Sequence, residues 1–309
     1  MKISILIGFQ YDNNQSLITP KITINKDTNS SLYLPGIIVD LYQAYLFSIK
    51  MNPDKIIIIT DINNDQKTSV LLKAIIDEIV DCNVLNFIET IKTQHLHHLY
   101  HNTTDFLNLI TTSCYGYDKA FIYYTGHAKD GSFLLPDNDN IKMTIFRNTI
   151  CNSISKHGEI FFTMDCCNSI GLDLPFRLVV NDLTDSFYKL NSDFFTGQQI
   201  ICISSTMKDE HSVTTRSGSI FSNSLFKWLN KKNRSIISLI KNITAECSSN
   251  FRQTATIYSS FPNIYLLWSW LFGSFNMDII LDNDTNCIIV NSTSSNGDHS
   301  STDICFISA

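Results

Sequence analysis

A histidine and a cysteine each follow an apolar run of the chain, and together they could carry out nucleophilic catalysis. His127 comes just after the run Lys119 to Thr125, and Cys167 comes just after the run Glu159 to Met164. Because ligands of an open parallel sheet bind beyond the carboxyl ends of its strands, both side chains are expected at one edge of such a sheet. A neighbouring imidazole favours the thiolate, which is the reactive form of cysteine. The pattern therefore predicts a Cys/His dyad.

Alternating strands and helices are needed to position these two residues. Apolar, β-branched runs alternate with segments of helical period, which indicates an α/β fold with about six mostly parallel strands and helices on both faces. The predicted strands are Lys2 to Phe9, Lys55 to Thr60, Lys119 to Thr125, Glu159 to Met164, Gln199 to Ser204 and Thr254 to Ser260. The predicted helices are Pro35 to Met51, Thr68 to Asp81, Thr103 to Cys114, Met143 to Ser155, Ile220 to Lys231 and Ser235 to Cys247.

Two stretches interrupt this alternation, and the pattern changes near the C-terminal end. We expect Asn83 to Asn102 and Gly171 to Gly197 to be excursions from the sheet, since the second contains Asn and Asp residues typical of turns. Trp268 and Trp270 alternate as in a strand and are predicted to pack in a core. After about residue 276 short alternating pieces lead into a polar run. We therefore expect a catalytic domain over 1–275 and a strand-like appendage and tail over 276–309.

The composition excludes several classes of protein. A chain of 309 residues, 44% hydrophobic and 17% charged, can bury a sizeable core and is not disordered. Its net charge of -6 argues against binding to nucleic acid, because phosphate contacts need a concentrated excess of Lys and Arg. Nine cysteines without a CxxC pair favour free thiols and a cytoplasmic location. We expect neither a signal peptide nor a membrane span. Scarce Gly and Pro are typical of an AT-rich genome, such as that of some viruses.

The order of the two candidate elements resembles a known family. A strand ending in Tyr124-Thr125-Gly126-His127 precedes one ending in Asp165-Cys166-Cys167-Asn168-Ser169, which is followed by Leu172-Asp173-Leu174-Pro175. From about residue 2 to about residue 265 this order is similar to the metacaspase branch of the caspase-fold cysteine peptidases. The segment Leu34 to Asp40 resembles the opening of the family's first helix. The resemblance implies a caspase-like fold and a cysteine endopeptidase.

The resemblance also implies a role for each matching residue. Cys167 is the expected nucleophile, and His127 is the expected general acid for the leaving amine; Cys166, one place earlier, is the weaker candidate. The backbone N–H groups of Cys167 and Ala128 are expected to form the oxyanion hole. The implied enzyme requires no cofactor and acts on polypeptide substrates, while its oligomeric state stays open.

Two acidic residues suggest which peptide bonds are cut. In the family the residue two before the nucleophile and the acid of the first helix line the pocket for the side chain that precedes the cut, and these are Asp165 and Asp40 here. Two carboxylates in one concave site favour a cationic side chain, so we predict cleavage after Arg or Lys. Thr125 and Ser204 match family positions that line or adjoin the same pocket.

Three departures from the family pattern support a second hypothesis. Ala128 and Ile170 stand where the family has glycine, and Asn168 stands where it has histidine. Because glycine takes positive φ without strain, these changes put the loop geometry in question. The alternative is a weak or inactive caspase-fold protein that acts as a binding scaffold or decoy. A third hypothesis, an esterase or thiol acyl transferase, lacks the usual Gly-x-Ser-x-Gly turn.

Metal binding is weighed at two places and not favoured at either. His97 and His101 are four residues apart, which would place them on one face of a helix, but no Cys or acid accompanies them. A solvated segment is the preferred interpretation. Calcium needs six to eight oxygen ligands. The acids that could supply some of them are Asp130, Asp137, Asp139 and Asp173.

The long segment Gly171 to Gly197 is a candidate for processing. In caspase-fold peptidases this stretch can be cut during maturation. Lys189 lies within it and fits a pocket for basic side chains. We therefore expect the protein to cut itself after Lys189 or a nearby basic residue.

Overall fold

A computed structural model describes most of the chain. The described residues are 1–11, 34, 36–62, 82–94, 96–169, 171–180, 185–190, 192, 194, 196–215, 217–230, 236–248, 252–261, 277–282 and 287–292. The predicted helix Thr68 to Asp81, as well as Trp268 and Trp270, lies outside them.

Strands and helices alternate through the first two thirds of the chain. The strands are β1 (Lys2–Gly8), β2 (Lys55–Thr60), β3 (His97–Leu99), β4 (Lys119–Thr125), β5 (Ala128–Lys129), β6 (Ser132–Leu134), β7 (Asn140–Lys142), β8 (Glu159–Asp165), β9 (Phe176–Val180), β10 (Asp185–Lys189), β11 (Gln199–Ser204), β12 (Thr214–Thr215), β13 (Gly218–Ser219), β14 (Thr256–Ser259), β15 (Met277–Asp282) and β16 (Cys287–Ser292). The helices are α1 (Ile37–Lys50), α2 (Cys82–Thr93), α3 (Thr103–Cys114), α4 (Met143–Ser153), α5 (Ile220–Leu229) and α6 (Ile236–Ser248).

One large sheet forms the centre of the fold. Its strand order is β10-β9-β14-β11-β8-β4-β1-β2-β3. The six strands from β3 to β11 run parallel to their neighbours, and β14, β9 and β10 pair antiparallel. The α/β class and the mostly parallel sheet predicted from the sequence are confirmed. The sheet has nine strands in the described part of the chain, rather than about six.

The three additional strands come from the stretches that were expected to leave the sheet. Within Asn83 to Asn102, α2 buries Val84, Phe87, Ile88 and Ile91 at helical spacing, and β3 then pairs with β2. Within Gly171 to Gly197, β9 and β10 form a hairpin that extends the sheet beyond β14. The expectation of excursions is therefore wrong in both places. The buried apolar residues of α2 recur with the 3.6-residue period of a helix, so the sequence contained the signal for this helix.

Helices cover both faces of the sheet, as predicted. Successive strand residues point to opposite faces, so β1 directs Ile5 and Ile7 to one core and Leu6 to the other. The core that contains Ile5 is completed by residues of α3 and α4, such as Phe106 and Phe146. The other core is completed by residues of α1, α2, α5 and α6. Burial on both faces explains why the parallel strands read as continuous apolar runs.

Among the described residues, three small sheets lie outside the large one. β5, β6 and β7 form a three-stranded sheet directly after β4, while β12 pairs with β13 and β15 pairs with β16. The division into 1–275 and 276–309 stays a prediction. No helix in the described ranges is both long and apolar enough to cross a bilayer.

Candidate active site

The ends of β4 and β8 bring the histidine and the cysteine to one edge of the sheet. These two strands are parallel neighbours, and Thr125 pairs with Asp165 at their last common position. His127 and Cys167 each follow two residues later, and both side chains are half-buried. Since paired strands lie about 4.8 Å apart, the two turns leave the sheet side by side.

Two tyrosines hold the backbone of His127. The His127 N–H donates to Tyr11 Oη at 2.8 Å, and Tyr124 Oη donates to the His127 carbonyl at 2.9 Å. The ring centroids of Tyr11 and His127 are 4.7 Å apart. A Cβ on Gly126 would lie 2.9 Å from Tyr11 Oη and 3.0 Å from Tyr124 Oη. Glycine at position 126 therefore allows both hydroxyls to reach the turn.

Tyr11 is itself fixed by a carboxylate. The backbone N–H groups of Gln10 and Tyr11 donate to the two oxygens of Asp61, at 2.7 Å and 2.6 Å. Tyr11 Oη also donates to the Leu134 carbonyl at 2.8 Å. Sequence reasoning missed Tyr11, although it follows the carboxyl end of β1, which pairs with β4. The rule that found His127 applies equally to Tyr11.

Ala128 has an ordinary strand backbone. It lies in β5 and is not among the described residues with positive φ, so replacing the family's glycine causes no strain there. Ala128 pairs with Phe133, and the Leu134 N–H donates to the His127 carbonyl at 3.1 Å. In an antiparallel ladder these contacts make Ala128–Phe133 a non-hydrogen-bonded pair. The Ala128 N–H therefore points away from β6.

The turn that carries Cys167 is tied to the loop after β11. The Cys166 N–H donates to Ser205 Oγ at 3.1 Å, and the Ser169 N–H donates to Thr206 Oγ1 at 3.1 Å. Asn168 has φ of 49°, a left-handed conformation that asparagine tolerates well, and its side chain accepts the Asp209 N–H at 2.7 Å. The departure at Asn168 is therefore accommodated. Ile170 lies outside the described residues.

The two adjacent cysteines have different surroundings. Cys166 is 1% exposed, and burial raises the pKa of its thiol far above the usual range. Cys167 is half-buried; burial raises its pKa, while a hydrogen bond from the Ser212 backbone N–H lowers it and the Asp165 charge raises it. Cys167 is the thiol that solvent and a substrate can reach. As predicted, free thiols are found at Cys114, Cys151, Cys166, Cys167, Cys202 and Cys247.

Asp40 and Asp165, which we call the acidic pair, are both buried. Asp40 is 0% exposed and Asp165 is 3% exposed. Asp40 accepts the Ser219 N–H at 2.8 Å and the Thr125 hydroxyl at 3.5 Å. Burial, followed by the charge of Asp165, raises the pKa of Asp40 well above its usual range. The two carboxylates are therefore close enough, and sufficiently shielded from water, for the charge of Asp165 to raise the pKa of Asp40.

Serine hydroxyls hold Asp165 in place. Ser212 Oγ donates to one Asp165 oxygen and Ser222 Oγ to the other, each at 2.5 Å, and Ser222 also contacts Tyr123 Oη at 2.6 Å. Burial raises the pKa of Asp165, and these hydrogen bonds lower it. Ser212, Ser219 and Ser222 were not predicted. They lie 47 to 179 residues from their acids along the chain, and no local pattern marks them.

The structure does not bring Ser204 to the acidic pair. Its hydroxyl contacts Cys202 Sγ at 3.6 Å, and Cys202 belongs to the core on the α3 and α4 face. On β8, Phe161 belongs to the opposite core, and Asp165 shares its face because residues four apart on a strand point the same way. The role of Ser204 in the pocket stays a prediction, whereas Ser212 contacts Asp165 directly.

The other sequence candidates lie away from this edge or are already engaged. His97 is part of β3, so it does not share a helix face with His101. Tyr100 donates to Asp137 at 2.9 Å and Thr103 to Asp139 at 2.6 Å. Asp130 occupies a turn with φ of 49°, and Asp173 lies 3.7 Å from Arg147. No group of three or more His, Cys, Asp or Glu side chains that could hold a metal ion occurs in the described ranges.

Lys189 is the last residue of β10, an edge strand of the large sheet. It pairs with Phe176 of β9, and the following Leu190 N–H donates to the Pro175 carbonyl at 2.6 Å. The peptide bond after Lys189 is therefore part of a hydrogen-bonded hairpin.

Comparisons with known proteins agree with this architecture. The family model described as "Caspase domain" matches residues 93–265, more than half of the chain. The crystal structure of protein GSU0716 from Geobacter sulfurreducens is 11% identical, with a TM-score of 0.51, and the match covers 86% of this chain and 96% of that chain. Caspase-1 from Spodoptera frugiperda is 11% identical, with a TM-score of 0.45 and coverage of 84% and 86%. No curated protein matches the chain.

The family match confirms the caspase-like fold expected from the sequence, whereas the metacaspase branch stays a prediction. The chain therefore belongs to the family of proteins with a caspase domain, a cysteine-peptidase fold.

Proposed function

We propose that the protein is a cysteine endopeptidase that cleaves polypeptides after Arg or Lys. The observation that carries the proposal is the buried acidic pair, one member of which lies two residues before Cys167 at the edge where His127 leaves the sheet. A buried carboxylate without a cationic partner is costly. A cationic substrate side chain would offset that cost. The substrate residue that precedes the cut would therefore supply this binding free energy.

The proposed reaction follows from the groups at this edge. Cys167 transfers its thiol proton to His127, and the sulfur attacks the scissile carbonyl carbon. The resulting oxyanion is stabilised by the backbone N–H groups of Cys167 and Ala128, and each such donor contributes about 3 kcal/mol in acyl transfer. His127 then gives its proton to the leaving amine as the C–N bond breaks. Water, activated by His127, hydrolyses the thioester and restores the thiol.

Fluorogenic peptides that differ only in the residue before the cut test this function. We expect turnover of Arg and Lys peptides and at least about 100-fold lower kcat/KM for the Asp peptide, because a carboxylate would be repelled by the acidic pair. Turnover of the Asp peptide alone would contradict the basic specificity. No turnover of any peptide across pH 5 to 9, with or without calcium, would favour the scaffold hypothesis.

The contacts of Tyr11 lead to a prediction about His127. Tyr11→Phe keeps the ring beside the imidazole but removes the oxygen that accepts the His127 N–H. We expect kcat to fall about tenfold with KM unchanged, because the imidazole loses its backbone anchor and not its substrate contacts. Steady-state kinetics with the Arg peptide measure this.

Tyr115→Phe is the matched control. Tyr115 is 79% exposed, so removal of its hydroxyl group should not change kcat. An unchanged kcat in Tyr11→Phe would show that the hydroxyl does not position His127.

Self-processing after Lys189 is part of the proposal. The bond lies in the β9–β10 hairpin, and a peptidase needs an extended, unpaired substrate strand. We therefore expect cleavage only after β10 separates from β9, so that it is slow in the folded protein. Mass spectrometry of the incubated chain should find a new C-terminus at Lys189 that is absent from Cys167→Ala. A chain that stays intact while it turns over Arg peptides would exclude this step.

A further inference from the structure

A buried glutamine lies at the same edge of the sheet as the acidic pair. β14 runs antiparallel to β11, and its first residue, Thr256, pairs with Ser204, the last residue of β11. Gln253 comes just before β14 and therefore lies at the edge where β4, β8 and β11 end. Its side chain is 0% exposed.

Ser212 connects this glutamine to the nucleophile and to Asp165. The Ser212 backbone N–H lowers the pKa of the Cys167 thiol, and the Ser212 hydroxyl donates to Asp165 at 2.5 Å. Gln253 Nε2 donates to the same hydroxyl oxygen at 3.3 Å. Gln253 is thus one hydroxyl group away from the acidic pair.

The hydrogen bonds of Ser212 fix the direction of the Gln253 amide. A hydroxyl has one proton, and Ser212 gives it to Asp165, so its oxygen can only accept from Gln253. The NH2 group of Gln253 therefore faces Ser212, which leaves the carbonyl oxygen Oε1 to accept from another partner. Oε1 is buried and has no hydrogen-bond partner among the described residues.

A buried amide oxygen without a partner destabilises the folded protein, and such an atom in a native structure calls for a functional explanation or for a partner such as water. We propose that Gln253 Oε1 accepts an N–H of the substrate side chain that precedes the cut, and that Gln253 thereby selects arginine over lysine. This inference rests on the proposed function and adds to it a residue that determines specificity.

The two basic side chains differ in what they require of the pocket. An ammonium group has three donors around one point, which the nearby carboxylate oxygens can satisfy. A guanidinium group has five donors spread over a plane, and the four oxygens of the acidic pair already accept bonds from Ser219, Thr125, Ser212 and Ser222. An additional neutral acceptor on Gln253, which contacts the serine that holds Asp165, therefore benefits arginine more than lysine.

Binding of acetyl-arginine amide and acetyl-lysine amide to the full chain, measured by calorimetry, tests the inference without relying on turnover. Gln253→Met has a similar volume but neither the donor nor the acceptor. We expect its Kd for the arginine probe to rise about tenfold and its Kd for the lysine probe to change less than twofold. Gln253→Glu keeps an acceptor at the same place, so it should retain the preference for arginine even if Gln253→Met folds poorly.

Gln198→Met is the matched control for loss of a buried glutamine. Gln198 is 4% exposed but precedes β11, at the opposite edge of the sheet, so both probes should bind as to the unmodified chain. Equal loss of both probes, or no loss of either, in Gln253→Met would overturn the inference while leaving the proposed function intact. Failure of the unmodified chain to bind either probe would overturn both.

Discussion

Cys167→Ala is expected to lower kcat/KM for the Arg peptide by at least about 10⁴-fold, because the reaction loses its nucleophile. Cys166→Ala is expected to retain activity within a few fold, although the two thiols are neighbours in the chain. Cys166 is 1% exposed, and its N–H and carbonyl are both bonded to Ser205, so its role is to pack the turn. Steady-state kinetics of both variants measure the difference.

The pair of variants provides its own control for folding. Both replace a CH2SH side chain with a methyl group, and thermal unfolding should show that Cys166→Ala loses more stability, since it removes the more deeply buried sulfur. Retained turnover in Cys167→Ala, or loss of turnover only in Cys166→Ala, would mean that the nucleophile is assigned to the wrong cysteine.

The second large effect is expected from Asp40→Asn. Asparagine has the same shape and can still accept the Ser219 N–H, but it removes one charge of the acidic pair. We expect kcat/KM for the Arg peptide to fall about 100-fold, since removing one partner of a buried charge interaction typically costs a few kcal/mol of binding. Asp130 is exposed. Asp130→Asn changes the net charge by the same amount and should have no such effect.

The same substitution should make the protein more stable. Burial raises the pKa of Asp40 in the folded state, so the unfolded chain loses this proton first as the pH rises. Stability from this carboxyl is therefore present below its unfolded pKa of about 4 and is lost as the pH rises toward the folded pKa. Asn does not titrate. The Tm of Asp40→Asn should exceed that of the unmodified chain at pH 8, by less at pH 5.

A Tm difference that is independent of pH, or a lower Tm of Asp40→Asn at pH 8, would show that the buried Asp40 carboxylate does not destabilise the folded protein. Lower activity together with higher stability is the combination expected of a residue retained for substrate binding.

The parts of the fold that followed from the sequence are those with a strong local signal. β2, β4 and β11 have the predicted bounds because they are apolar runs buried on both faces. α3 also has its predicted bounds, Thr103–Cys114, and Asn102 caps it by accepting the Asp105 N–H. β3 was missed because it has three residues, two of them histidines, and pairs on one side only.

The site followed from the sequence only in part, for a related reason. His127 and Cys167 follow the ends of β4 and β8, and Asp165 is the last residue of β8, so the topology of a parallel sheet predicts that all three lie at one edge. The serines that hold the acids come from the loop after β11 and from the β13–α5 junction, and their partners are set by long-range packing. Gln253 has no sequence signal either; its significance comes from its burial and its unpartnered oxygen.

Covalent labelling with a peptidyl-arginine fluoromethyl ketone tests the central claim most directly, because the reagent needs both a basic pocket and an adjacent reactive thiol. After digestion of the labelled full chain, mass spectrometry should find the adduct on Cys167, and excess acetyl-arginine amide should slow its formation. The aspartyl analogue should label at least about 100-fold more slowly. An adduct on another cysteine, or equal labelling by both reagents, would contradict the account.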